Sequence, residues 1–139
     1  TTGQISLAGD FTIGFRVYTT AFTGTVLGDN TAVNEFMRFN GATTFRVSIN
    51  GNTAQNFNIT SAANDYYVLE RSGTIIRLYQ NGAAADSHVF SPLETVDIDA
   101  IGIRRTNTSP FDGKMKEIQI YSSTSTALTA NVNTRLASL

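Results

Sequence analysis

The sequence predicts an all-β protein: two antiparallel sheets packed face to face, with a short closing helix at the C-terminus. Three observations predict it. Apolar residues alternate with polar ones along most segments, the period of a half-buried strand. Asn-Gly, Asp-Gly and Ser-Gly pairs recur at short intervals, where tight hairpins need a positive φ. Helical spacing appears in the tail alone, "TALTANVNTRLASL".

In chain order, "DFTIGFRVYTT" sends Phe11, Ile13, Phe15 and Val17 one way and Thr12, Gly14, Arg16 and Tyr18 the other. In "TTFRVSIN", Phe45, Val47 and Ile49 oppose Thr44, Arg46 and Ser48. In "AQNFNIT", Phe57 and Ile59 oppose Asn56, Asn58 and Thr60. Each pattern reads as an antiparallel strand with one wet face. "DYYVLER" and "DAIGIRR" carry apolar residues on both faces and read as more central strands. "SGTIIRLYQNG" reads as a strand between two turns, with Ile76 and Leu78 on one face and Arg77 and Tyr79 on the other. The total, roughly ten to twelve strands, exceeds what one flat sheet usually holds, so two sheets are expected. In the tail, Leu128, Val132, Leu136 and Leu139 lie three to four apart, as one face of a helix requires.

The 139 residues fit one domain, 1–139, since no repeat or composition shift marks a linker. A net charge of −1 without a basic run argues against nucleic acid as a partner. No apolar stretch approaches a membrane span, and no signal peptide is visible. The absence of cysteine excludes disulfides, thiolate metal sites and cysteine catalysis. The chain begins at Thr1 rather than Met, which points to a processed product or an excised domain.

Three stretches, in order, resemble the laminin-G-like, concanavalin A-like lectin superfamily. "LAGDFTIGFRVYTT" is similar to its early strand, "YYVLERSGTIIRLYQNG" to its central hairpin, and "IGIRRTNTSPFDGKMKEIQIY" to its closing segment. The resemblance implies a two-sheet antiparallel jelly-roll β-sandwich. The chain departs from the pattern at four places. Arg16 stands where the early strand commonly has Trp, and Tyr66-Tyr67 where a Trp-His pair is common. Lys116 and Gln119 replace an Asp and an Arg of the closing motif. With no tryptophan at all, a strong stacking platform for sugar rings is missing, and tyrosine offers a weaker substitute.

Catalysis is not expected. Some enzymes of the superfamily hydrolyse β-glucans with carboxylates on alternate strand residues. The nearest match is "ETVDIDAIG", where Asp97 and Asp99 share a face but Glu94 has the opposite parity, so the acid set is incomplete. His88 is the lone histidine, which leaves neither a triad nor a zinc set. Many relatives bind calcium through loop oxygens, which draws attention to Asp29, Asn30, Asp65, Asp86 and Asp112. Turn capping explains these residues more simply, and no cofactor is assigned. Sequons occur at Asn58 and Asn107.

The polar faces of the strands are the remaining lead. Arg38, Asn40, Arg46, Tyr66, Arg77 and Tyr79 are the candidate ligand-binding residues. Arginine forks read hydroxyls and carboxylates, and tyrosine offers a flat apolar face. The expected function is a non-catalytic recognition module, lectin-like or adhesive, acting outside the cell or on a virion surface. Its partner would be a glycan or a cell-surface polysaccharide. The alternative is a structural module of a phage or viral particle that contacts other copies of itself or virion proteins. A glycoside hydrolase ranks last.

Overall fold

The computed structural model describes residues 3–32, 34–92, 94–105 and 108–139. Its strands are β1 (Ile5–Leu7), β2 (Phe11–Tyr18), β3 (Thr23–Gly28), β4 (Phe36–Asn40), β5 (Thr44–Ser48) and β6 (Gln55–Asn58). They continue as β7 (Tyr66–Ser72), β8 (Ile75–Gln80), β9 (Ala83–Val89), β10 (Val96–Ile98), β11 (Ala100–Ile101) and β12 (Lys114–Tyr121), followed by helix α1 (Thr126–Ala137). One sheet has the order β12-β2-β7-β8-β9 and the other β11-β3-β4-β5-β6, while β1 and β10 form a short separate pair. Every pairing is antiparallel. This is the two-sheet sandwich that the alternation predicts.

The inward faces are those read from the sequence. Phe11, Ile13, Phe15 and Val17 of β2 meet Phe45 and Val47 of β5 and Phe57 of β6 in one core. Aromatic rings lock the layers together. Phe15 stacks on Tyr67 within one sheet, with centroids 5.3 Å apart. Phe39 of the other sheet stands edge-on to Tyr67 at 5.4 Å and to Phe45 at 5.1 Å. Such pairs contribute about 0.5–1.5 kcal/mol beyond their burial, and their geometry fixes how the sheets meet. Phe22 also joins this edge of the core, 6.1 Å from Phe39. The Tyr67 hydroxyl meets Ser61 Oγ at 2.8 Å, so its burial leaves no polar orphan. Burial pushes that phenol above its ordinary pKa.

The turn chemistry also holds. Gly73 (φ 57°) turns β7 into β8, and Asn81 and Gly82 (φ 51° and 82°) turn β8 into β9. Ile76 and Leu78 are buried while Arg77 and Tyr79 are half-buried on the other face. The strand within "DYYVLER" is central, as expected, and its two apolar faces have two causes. Tyr67 and Leu69 enter the main core, and Val68 lies under the helix.

Two expectations need correction. The segment "DAIGIRR" is not a central strand: it supplies the two-residue edge strand β11, and Ile101 is exposed. Gly102 (φ 75°) turns the chain out of the sheet directly afterwards. The outer face of β2 is not wet either, because α1 lies across it. Thr12 and Gly14 are buried there. A Cβ at Gly14 would overlap Val132 Cγ1 and meet Leu136 Cδ1 at 3.0 Å, so the missing side chain is what lets the helix seat. Ser125 caps α1 by accepting from Leu128 N at 3.1 Å. Its buried residues are Thr129, Val132 and Leu136, while Leu128 is half-buried and Leu139 exposed.

Candidate functional site

The helix divides the six candidate residues between opposite faces of the sandwich. Tyr66, Arg77 and Tyr79 belong to the sheet that α1 covers. Arg38, Asn40 and Arg46 belong to the other sheet. They do not form one surface.

On the helix-bearing sheet, Tyr66 and Tyr79 pack against the small cluster of Val68, Val132 and Leu136. Glu70 organises the space beside it. Its Oε2 accepts from Thr129 Oγ1 at 2.8 Å and from the Tyr79 hydroxyl at 3.4 Å, and Arg77 Nη1 stands 3.8 Å from Oε1. Burial and the Glu70 charge raise the Tyr79 pKa. A cleft of about 390 Å³ lies between this strand face and α1, lined in part by Glu70, Arg77, Tyr79 and Thr129. Glu70, Tyr79 and Thr129 are already committed to one another and to seating the helix, whereas Asn133 Oδ1, also in the lining, has no hydrogen-bond partner.

The second sheet presents a different face. Strand register places Thr25, Arg38, Arg46 and Asn56 in one row across β3, β4, β5 and β6. Arg38 and Arg46 are direct cross-strand partners. The described residues 102–105 and 108–111 flank the β3 side of this row. Gly102 N donates to Val26 O and Thr25 N to Ser109 O, both at 2.9 Å. Thr25 and Phe36 are buried there, whereas Arg38 and Arg46 are half-buried and Asn40 and Asn56 exposed. The result is a shelf over β4 to β6 with a wall on one side.

Arg104 comes from that wall, its guanidinium carbon 4.4 Å from the Phe36 ring centroid. Arg38 reaches the same ring at 6.0 Å, and its Nη2 donates to Asn40 Oδ1 at 3.3 Å. Desolvation lowers the Arg104 pKa, and the charges of Arg38 and Arg46 lower it further. Ion pairs among the described residues join Arg77 to Glu70, Arg135 to Glu117 and His88 to Asp86, and none includes Arg38 or Arg46. Sequence reasoning missed Arg104, because a loop residue far along the chain carries no periodic signal that sets it beside β4.

The acidic residues have local tasks. Asp29 Oδ1 accepts from Thr31 N, Thr31 Oγ1 and Ala32 N at 2.5–2.9 Å, and Oδ2 accepts from Gln4. Burial raises the Asp29 pKa, but these hydrogen bonds outweigh it and the net shift is downward. Asp65 accepts from Ala62 N, Gln80 Nε2 and Asn81 Nδ2, and Asp86 from the backbone and side chain of Asn58. Asp97 takes the Ser6 hydroxyl, and Asp99 takes Asn30 N at 2.6 Å. Asp99 itself falls between β10 and β11, so no single strand carries the two acids. Among the described residues, no three His, Cys, Asp or Glu side chains gather as a metal would need. The Asn58 sequon amide is engaged by Asp86, and Asn107, the acceptor of the second sequon, lies outside the described residues.

Comparison with known proteins gives a consistent picture. The model of the concanavalin A-like lectin/glucanases superfamily matches residues 1–131. No curated protein matches the sequence. Among solved structures, the carbohydrate-binding module CBM40 of the Ruminococcus gnavus IT-sialidase is 15% identical with a TM-score of 0.68. The match covers 91% of this chain and 84% of the module. The same module has been solved bound to α2,3-sialyllactose. Domain 4 of AbnA, an extracellular arabinanase of Geobacillus stearothermophilus, solved with arabinotriose, is 15% identical with a TM-score of 0.61. That match covers 90% of this chain and 66% of the other. The heptameric SAP-like pentraxin of Limulus polyphemus is 15% identical with a TM-score of 0.65, over 94% of this chain and 70% of the pentraxin.

Proposed function

From the premise that the chain belongs to the concanavalin A-like lectin/glucanases superfamily, we propose that it is a non-catalytic, lectin-like module that binds glycans outside the cell. The observation that carries this reading is the shelf on the second sheet. Arg38, Asn40, Arg46 and Asn56 form a donor-rich surface on adjacent strands that α1 leaves uncovered. Sugars present hydroxyls and ring edges to such surfaces, and amide and guanidinium donors placed by rigid strands read them without a deep pocket.

Two further points support it. The structural neighbours include modules whose structures hold sialyllactose and arabinotriose, so this fold serves as a glycan platform in proteins of similar shape. The acids that a β-glucan hydrolase would need are instead tied to backbone and hydroxyl donors, Asp97 to Ser6 and Asp99 to Asn30.

The test is a broad glycan array probed with the whole chain and with Arg46→Ala. Binding to a restricted set of glycans, lost in Arg46→Ala, is expected. Silence across the array, or binding that ignores Arg46, would remove the reading.

A further inference from the structure

We propose that the Arg38–Arg46 pair is a carboxylate seat, so that the shelf selects acidic sugars over neutral ones; this rests on the glycan-binding reading above. Three observations point there. Arg38 and Arg46 are direct cross-strand partners on the same outer face. Like charges in that relation repel, and sheets normally separate or neutralise them. Here neither residue joins an ion pair among the described residues. Next, the Nε atoms of both residues, with Thr25 Oγ1 beside them, are sealed from water and have no hydrogen-bond partner. Each such group carries a desolvation cost. Last, Arg104 adds a third positive charge near the same place, held by its stack on Phe36.

A planar anion answers the repulsion within the pair, and the buried Nε atoms set which part of each fork it reaches. A carboxylate between two guanidinium forks removes the repulsion and takes paired charge-assisted hydrogen bonds. The sealed Nε atoms leave the outer N–H groups of each fork as the donors that a ligand reaches. Asn56 is exposed as the cross-strand neighbour of Arg46 and Asn40 is exposed two residues along β4 from Arg38, placed for the hydroxyls of the ring that carries the acid. Phe36 holds the Arg38 side chain down and Asn40 accepts from it, so its fork is partly fixed before a ligand arrives. A ring carboxylate comes from two sources, a nonulosonic acid such as sialic acid or a hexuronic acid. The arginines recognise the feature the two share.

Titration calorimetry at low salt tests the proposal with three probes: 3′-sialyllactose, a galacturonic acid trimer and lactose. At least one acidic probe is expected to bind, with lactose weaker by about tenfold or more, the factor that one charge-assisted bond supplies. Arg38→Gln and Arg46→Gln should each weaken the acidic probe by a similar factor, and Arg46→Lys by less. The acidic probe that binds identifies the source. Melting of the ligand-free variants provides the folding control. Both Gln variants should melt at or above the parent temperature, because removing one charge relieves the pair. Neutral glycans binding as tightly as acidic ones, or acidic binding unchanged in both Gln variants, would overturn the carboxylate seat and leave glycan recognition standing. No binding by any probe, with silence on the array, would overturn both. Gln variants that melt well below the parent would contradict the repulsion on which the inference stands.

Discussion

Arg16 Nη1 donates to the carbonyls of Leu136 and Ala137 at 2.8 and 3.2 Å, so a strand residue caps the C-terminus of α1. Its Nε also donates to Asn64 O at 3.2 Å. A positive charge at that helix end meets the negative pole of the backbone dipoles and fills orphan carbonyls. At this position the superfamily pattern commonly has Trp, and the substitution by arginine coincides with a helix lying over the strand. Arg16→Ala is therefore expected to cost about 1.5–3 kcal/mol, the range for bonds to a charged group. Hydrogen exchange at α1 amides should accelerate more than exchange at β4 and β5.

Gly14 and Val132 make a second contact of the same kind. A side chain at Gly14 has no room beneath the helix. Gly14→Ala should destabilise by about 1–3 kcal/mol through overpacking. The double variant Gly14→Ala/Val132→Ala should be less destabilised than the sum of the singles, because the two residues touch. Thermal melting of the four proteins measures this.

Arg71 is buried among backbone carbonyls rather than carboxylates. Its guanidinium donates to Gly9 O, to Glu94 O at 2.7 Å and to Leu7 O at 3.0 Å, and it sits 5.0 Å from the Phe11 ring centroid. It ties β7 to the end of β1 and to the two segments that flank that one end of the β1–β10 pair. Arg71→Met should cost about 3 kcal/mol or more, since it strands several carbonyls at once. Lysine should not restore the loss, because one ammonium cannot reproduce the planar fork. Chemical denaturation reports the difference.

Glu35 gives a pH signature. Burial raises its carboxyl pKa, a hydrogen bond from Asp97 N opposes this, and the charges of Asp97 and Asp29 raise it further. A raised acid weakens the fold when ionised, and that penalty fades as pH falls through the folded pKa. Glu35→Gln keeps an acceptor for Asp97 N. It should be more stable than the parent at pH 7, and the gain should vanish below the ordinary carboxylate value near 4.5. An equal gain at all pH values would contradict this assignment.

The sequence was most legible where one physical rule acts alone. Alternation placed Phe11, Phe15, Phe45 and Phe57 inward, and Asn81-Gly82 marked its hairpin, because period two and positive φ are local properties. It was less legible where a distant element decides. Thr12 and Gly14 read as solvent-facing until α1 is docked on them, and Arg71 shares the parity of Leu69 but gives no sign that carbonyls wait for it. The candidate site shows the same limit. Arg38, Asn40 and Arg46 could be picked out one strand at a time, and register brings Arg38 and Arg46 together as partners. Tyr66, Arg77 and Tyr79 looked equivalent, yet the sheet order sends them to the opposite side, where Tyr66 and Tyr79 pack with the helix and Arg77 faces Glu70. Arg104 arrives from a loop and had no signal.

Backbone amide NMR during titration with a glycan selected from the array tests the central claim most directly. Shifts concentrated at Arg38, Asn40, Arg46 and Asn56, with the α1 face quiet, are the predicted result. Shifts centred on Glu70, Tyr79 and Thr129, or spread along the loops at the sheet ends, would contradict it.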